Sequence, residues 1–244
     1  MNERIEKEAA ELWDQTLKRL NTKEVAEIDE RDLKQYKKVF EEIKGNSRYR
    51  SDWISPFDCS YILSKIENLH LRNAMIVDET GGNLAVEFVQ FLDLIKTPIH
   101  VTIVAKNLNS ENYRLLASND HVISIYGDDS FTNYINEVDV VIARFNTSFN
   151  KFETIGKCLK SLMNDRRVRH LFLHEYYPEL TYPFQYYREG SVPNVLDVLE
   201  LLVSAGRVEF VGDSWTGIRT LDLEMQQVLL GNCNSTLVGH FKII

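Results

Sequence analysis

Residues 73–145 constrain this chain most, because apolar runs recur there at regular spacing and each ends in polar or glycine residues. The first run, Ala74-Met75-Ile76-Val77, ends on Asp78. A glycine turn follows, Glu79-Thr80-Gly81-Gly82-Asn83, and then a helix-period segment from Leu84 to Ile95. Further short runs cover Val101 to Ala105, Val122 to Tyr126 (closed by Gly127-Asp128) and Val138 to Ala143. Runs this short and this apolar suit strands buried on both faces, and strands alternating with helical segments imply a parallel sheet. A strand, a glycine turn and a helix in that order let backbone approach a ligand at a helix N-terminus. Ligands in open α/β sheets bind beyond the carboxyl ends of the strands, and those ends carry the polar residues here.

Outside this stretch the pattern continues. Residues 1 to about 45 are helical by period, with one stripe through Ile5, Ala9, Leu12, Trp13, Leu17 and Leu20. A second stripe runs through Val25, Ile28, Leu33, Tyr36, Val39, Phe40 and Ile43 and stops at Gly45-Asn46. A loop over 46–57 and a short helix from Asp58 to Asn68 lead into the first strand. Later strands are expected at Val168 to His174, Val208 to Val211 and Thr236 to Ile243, with a helix from Val195 to Ser204. Residues 213–230 fit either a helix or a hairpin.

Bulk properties remove several function classes. The net charge of −8 disfavours a nucleic-acid backbone as main partner. The one basic cluster, Arg166-Arg167-Val168-Arg169, suits a helix C-terminus. Cys59, Cys158 and Cys233 are too scattered for a metal or redox motif. No apolar run approaches the ~18 residues that span a bilayer. The charged N-terminus lacks a signal-peptide core, so a cytoplasmic location is expected. Serine-elbow, phosphate-loop and Cys/His metal motifs are missing from the sequence.

Seven expected strands, a glycine turn after the first and Gly-Asp after the third form a series that resembles the class I S-adenosylmethionine-dependent methyltransferases. The resemblance covers roughly residues 70–244 and includes VLDVLELLVSAGRVEFVGDSW near the C-terminus. It implies an α/β fold: a Rossmann-like, mostly parallel seven-stranded sheet with helices on both faces, plus an N-terminal helical cap. Residues 1–70 would form the cap and 71–244 the cofactor-binding catalytic domain. It implies S-adenosylmethionine as cofactor, held by Asp78, Thr80, Gly81, Gly82 and Asn83 at the first turn and by Asp128 and Asp129 after the third strand. The substrate would be a small polar metabolite, with neither nucleic acid nor membrane as partner and with a homodimer compatible. Methyl transfer and transfer or cyclisation of the aminocarboxypropyl arm both remain open.

The chain departs from the family at two places. The glycine turn is abbreviated, and Lys106-Asn107 stands where an acidic residue holds the ribose. Asn107 or Asn109 offers one acceptor there, whereas lysine offers none. A second resemblance, through IVDETGG and DVVIARFNTSFNKFETI, is to metal-dependent damage-control phosphatases, with Asp78, Glu79 and Asp128 as the available carboxylates. A catalytically silent Rossmann-like binding domain is the third reading.

Several residues have both a chemical and a structural reading. Asp78 either serves the cofactor or caps the following helix. Arg144, after four apolar residues, either clamps a substrate carboxylate or bridges to Asp78 or Glu175. Asn146 follows at the same strand end. His174 and Tyr176 open the aromatic run HEYYPELTYPFQYY, which either walls a pocket and supplies a general base or plugs the sheet edge. Trp13 and Trp53 read as core or lid packing.

Overall fold

The computed structural model describes residues 30–46, 49, 51–78, 80–105, 107–127, 138–144, 168–176, 203, 206–214, 218, 221–233 and 236–244. Its elements, in chain order, are α1 (Glu30–Lys44), α2 (Pro56–Asn68), β1 (Asn73–Asp78), α3 (Asn83–Ile95), β2 (His100–Ala105), α4 (Ser110–Ala117), β3 (Val122–Tyr126), β4 (Val140–Arg144), β5 (His170–Tyr176), β6 (Val208–Asp213), α5 (Leu223–Leu230) and β7 (Thr236–Ile243). The expected helices over residues 1–20 and most of 195–204 lie outside the described residues.

The seven strands form one sheet in the order β3-β2-β1-β4-β5-β7-β6. Pairing is parallel from β3 through β5, and β7 runs antiparallel to both β5 and β6. The sheet is therefore mostly parallel, as expected, with one reversed strand inserted near an edge. Order reverses at β1: the chain steps outward to β2 and β3, then returns to lay β4 on the other flank of β1. Open α/β sheets take their ligands in the crevice at such a reversal, which here is the carboxyl ends of β1 and β4. Asp78 and Arg144, the last residues of the two strands, are direct partners across it.

One face of the sheet presents Ala74, Ile76, Val101, Ile103, Val140, Ile142, Phe172 and Val238 to a single core. Tyr36 and Val39 of α1, Phe57, Ile62 and Ile66 of α2, Phe88 and Leu92 of α3 and Leu229 of α5 fill that core from the helix side. The alternate residues Met75, Val77, Val141, Leu171 and Leu173 are buried as well, so both faces are covered, which is why these strands carry no polar alternation.

Local chemistry sets the helix ends near the crevice. Ser55 caps α2 by accepting from the Asp58 N–H (2.9 Å), with Pro56 in the first turn. Asp32 of α1 is buried and accepts from Ser64 Oγ (2.5 Å) and Lys65 Nζ (2.6 Å), which locks α1 onto α2. The ambiguity over 213–230 resolves, among the described residues, into α5, started by Asp222 accepting from the Met225 N–H (2.8 Å).

Candidate functional site

The turn after β1 is held from within. Gly81 and Gly82 have φ of +74° and +89°, a backbone conformation that costs L side chains strain. Gly82 is the N-cap of α3 and has no side chain to offer the first free N–H groups of the helix. Two upstream residues supply that function instead. Thr80 Oγ1 accepts from the Leu84 N–H (3.2 Å), and Asp78 Oδ2 accepts from the Ala85 N–H (3.0 Å). Asp78 Oδ1 also accepts from the Thr80 N–H (2.6 Å) and hydroxyl (2.5 Å). The fully buried Asp78 carboxylate thus uses both oxygens to shape the turn and lies where the helix dipole favours negative charge. A metal ion would have to compete with all three of these donors.

The β2–α4 connection clamps the same turn. Asn112 Nδ2 donates to the Gly81 carbonyl (3.0 Å) and to Asn83 Oδ1 (2.9 Å), while Asn83 Nδ2 donates to the Thr80 carbonyl (2.6 Å). A Cβ on Gly82 would meet Leu108 Cδ1 at 2.2 Å, so the Leu108 side chain would have to shift, and the positive φ is what favours glycine there. Asn107 adopts a left-handed conformation (φ +56°). Asn109 Oδ1 accepts from the Asn112 N–H (2.8 Å) as the N-cap of α4. Of the two asparagines offered as ribose acceptors, Asn109 is thereby engaged and Asn107 remains.

Across the crevice, Arg144 is 2% exposed. Its Nη1 donates to the Trp53 carbonyl (2.7 Å), and its guanidinium lies 5.5 Å from the centre of the Trp53 ring. The Trp53 backbone is fixed in turn by Glu87 of α3, whose carboxylate accepts from the N–H groups of Asp52 (2.9 Å), Trp53 (2.8 Å) and Ile54 (3.0 Å). Burial pushes the Glu87 carboxyl up, and the three N–H bonds pull partly back.

His174 is fully buried. Its Nε2 lies 3.6 Å from Asp58 Oδ2, too far for a hydrogen bond, and neither ring nitrogen has a hydrogen-bond partner among the described residues. Burial pushes the imidazole down, against the pull of Asp58, so His174 is neutral at pH 7. Asp58 accepts from Ser214 Oγ (2.6 Å), which itself accepts from the Val238 N–H (2.9 Å). His174 is thus packed, fully buried, beside a network that joins α2, the end of β6 and β7.

The structure brings Asp78, Thr80, Gly81, Gly82, Asn83 and Asn107 together on one side of the crevice and puts Arg144 on the other. Asn146, Asp128, Asp129, Lys106, Glu79, the side chain of Tyr176 and the aromatic run after it lie outside the described residues. Glu87, Asp58 and Asn112 were not singled out from sequence. Asn112 and Asp58 stand within three residues of a Ser or Asn helix cap, which is the one local signal they carry. Burial pushes the Cys59 thiol up and Cys233 up to about 12, so neither is a ready nucleophile. Among the described residues no three His, Cys, Asp or Glu side chains gather as a metal-binding group, and no helix is long and apolar enough to cross a membrane. A cavity of about 360 Å³ opens among Ile43, Tyr49, Ser51, Pro56, Val228, Gly231 and Asn232, and no strand-end residue lines it.

Neither a family model nor a curated protein sequence matches the chain. Solved structures do match. An O-methyltransferase from Bacillus cereus, in complex with SAH, aligns over 91% of this chain and 94% of its own, at 12% identity and a TM-score of 0.48. The methyltransferase domain of bacterial CtHen1 aligns over 77% of this chain and 97% of its own, at 11% identity and a TM-score of 0.47. At such identity the likeness concerns the fold alone. The sheet order β3-β2-β1-β4-β5-β7-β6 with β7 reversed is the mostly parallel, seven-stranded Rossmann-like α/β fold that was expected.

Proposed function

We propose that this chain is an S-adenosylmethionine-dependent transferase, acting by methyl transfer on a small polar metabolite. The supporting observation is the pairing of Asp78 and its glycine turn with Arg144 across the strand-order reversal, where an open α/β sheet takes its ligand. The turn fits the cofactor's polar end. Its two glycines hold positive φ, a Cβ at Gly82 would displace the Leu108 side chain, and the turn stands at a helix N-terminus, where backbone N–H groups favour polar or anionic groups. Gly81, Gly82 and Asn83 would contact the cofactor, with Asp78 and Thr80 holding the turn in shape. Asn107 would give the ribose a single acceptor in place of a carboxylate's two, which predicts weaker binding than a carboxylate would provide. The cofactor supplies an activated methyl group. The chain's own residues hold the two reactants in line and exclude water, and such positioning provides most of the rate. Arg144, Asn146 and the segment after β5 are assigned to the acceptor side.

A second reading, a binding domain without catalysis, is favoured by the way the described polar groups near the turn already satisfy one another. The two are separated by titrating the full chain calorimetrically with S-adenosylmethionine and S-adenosylhomocysteine, in chelator and then with Mg²⁺. Micromolar binding in chelator supports the transferase. No binding under either condition overturns it, and a Lys106→Asp variant that gains binding would then support the silent domain.

A further inference from the structure

Glu87 lies outside the glycine turn and accepts three consecutive backbone N–H groups, from Asp52, Trp53 and Ile54. A carboxylate that gathers three adjacent N–H groups fixes the path of that backbone, because each bond is charge-assisted and the three directions converge on one group. The segment so fixed presents the Trp53 carbonyl to Arg144 Nη1 and lays the indole against the guanidinium. Trp53 remains partly exposed, whereas Arg144 is buried. Arg144 ends β4, directly across from Asp78. A chain of contacts therefore runs from the first turns of α3, through Glu87 and the 52–54 backbone, to the far wall of the crevice.

We propose that Glu87 is a positioning residue, which holds Trp53 against Arg144 so that the indole forms the acceptor-side wall of the strand-end site. The placement of this wall at a working site rests on the transferase reading above; the positioning by Glu87 does not. Glu87→Gln preserves shape but turns one oxygen into a donor that faces N–H groups, so the clamp loses at least one of its three bonds.

The full chain, labelled with 5-fluorotryptophan, reports on its three tryptophans separately by fluorine NMR, and the Trp53 line is assigned by its loss in Trp53→Phe. Glu87→Gln is expected to move the Trp53 line by more than its width. Glu87→Asp, which keeps the charge, should return it part of the way. Arg144→Lys removes the planar donor and should move the same line, a second route to the answer if Glu87→Gln does not fold. A folded Glu87→Gln or Arg144→Lys protein whose Trp53 line is unmoved overturns the positioning role. S-adenosylhomocysteine should also shift the Trp53 line of the unsubstituted protein. Calorimetric binding without that shift removes Trp53 from the site. If the compound does not bind at all, the transferase reading falls and the acceptor wall with it, while the ligand-free spectra still decide what Glu87 does.

Discussion

Asp78→Asn isolates the part of the site that the structure explains most fully. The carboxylate is fully buried and accepts from the Thr80 N–H, the Thr80 hydroxyl and the Ala85 N–H. Asparagine has the same shape but only one acceptor oxygen. In its better orientation the oxygen stays with Thr80 and the amide N–H groups face the Ala85 N–H, leaving one buried donor without a partner. That costs about 1–3 kcal/mol. Loss of the negative charge at the start of α3 adds roughly 0.3–1 kcal/mol, more where the site is dry. The sum is about 1–4 kcal/mol, a sizeable share of the roughly 5–15 kcal/mol that holds a domain folded. Urea unfolding at pH 7 should show the midpoint lowered accordingly with the slope unchanged, which marks a change in stability rather than in the denatured state. Thr80→Val removes the partner in the same network, so the double variant should fall short of the sum of the two singles by ~0.5 kcal/mol or more. A loss below ~0.5 kcal/mol for Asp78→Asn would refute the view that this carboxylate shapes the turn.

Other consequences follow from the same geometry. Gly82→Ala forces an L side chain to φ +89° and onto Leu108, and is expected to cost about 1–2 kcal/mol or more in urea unfolding. Gly127→Ala, with nothing within 4 Å of the new methyl group, should be near neutral, and equal costs at the two positions would contradict the argument. Ser214→Ala deprives Asp58 of a 2.6 Å donor and the Val238 N–H of its acceptor, so a loss of about 2 kcal/mol is expected in the same assay. His240, stacked on Phe172 and 3.0 Å from His170, is pushed down to about 3 by burial. A histidine lowered on folding takes its proton in the unfolded chain first, so stability present above its unfolded pKa of about 6.5 drains away as pH falls. His240 alone should remove about 2 kcal/mol between pH 7 and pH 5. His170 and His174 act in the same sense, and the raised Glu87 carboxyl in the opposite one. His240→Gln should therefore flatten the profile without levelling it, and a variant as steep as the parent would exclude His240 as a source of the slope.

Those elements that depend on neighbours along the chain were legible in the sequence. Apolar runs ended where polar residues or glycine began, so β3 and β7 fall where expected and β1 ends on Asp78 as read. The α3 segment and its glycine turn were visible for the same reason. The structural reading of Asp78 as a helix cap is realised in full, because the N-cap glycine leaves a vacancy that a carboxylate four residues earlier can fill. Contacts between distant segments left no such trace. Glu87 meets its three N–H groups across 33–35 residues, and Ser214 meets Asp58 across 156. Periodicity reports which face of an element is buried and says nothing of what lies opposite. His174 sits near a strand end, and its burial beside Asp58 of α2, which pushes the imidazole down, is a contact that the pattern along β5 does not reveal. The helix or hairpin alternatives over 213–230 needed the Asp222 cap to decide between them.

The start of α3 ties the two walls of the crevice to one support. Asn83 and Glu87 stand four residues apart and so share one side of the helix. Asn83 joins the glycine turn to the β2–α4 connection through Asn112, and Glu87 holds the segment that carries Trp53. Two clamps on one rigid helix end restrain the same displacement, so releasing the first should make the second matter more. In a cycle of Asn112→Ala and Glu87→Gln, measured by urea unfolding, this demands coupling of about 0.5–3 kcal/mol even though the two side chains do not bond to each other. If each clamp merely fixed its own loop, the two losses would add within ~0.3–0.5 kcal/mol, as for independent sites. Additivity would mean that the glycine turn and the Trp53–Arg144 wall are held separately. Coupling would mean that a ligand seated on the turn acts on a frame already shared with the opposite wall.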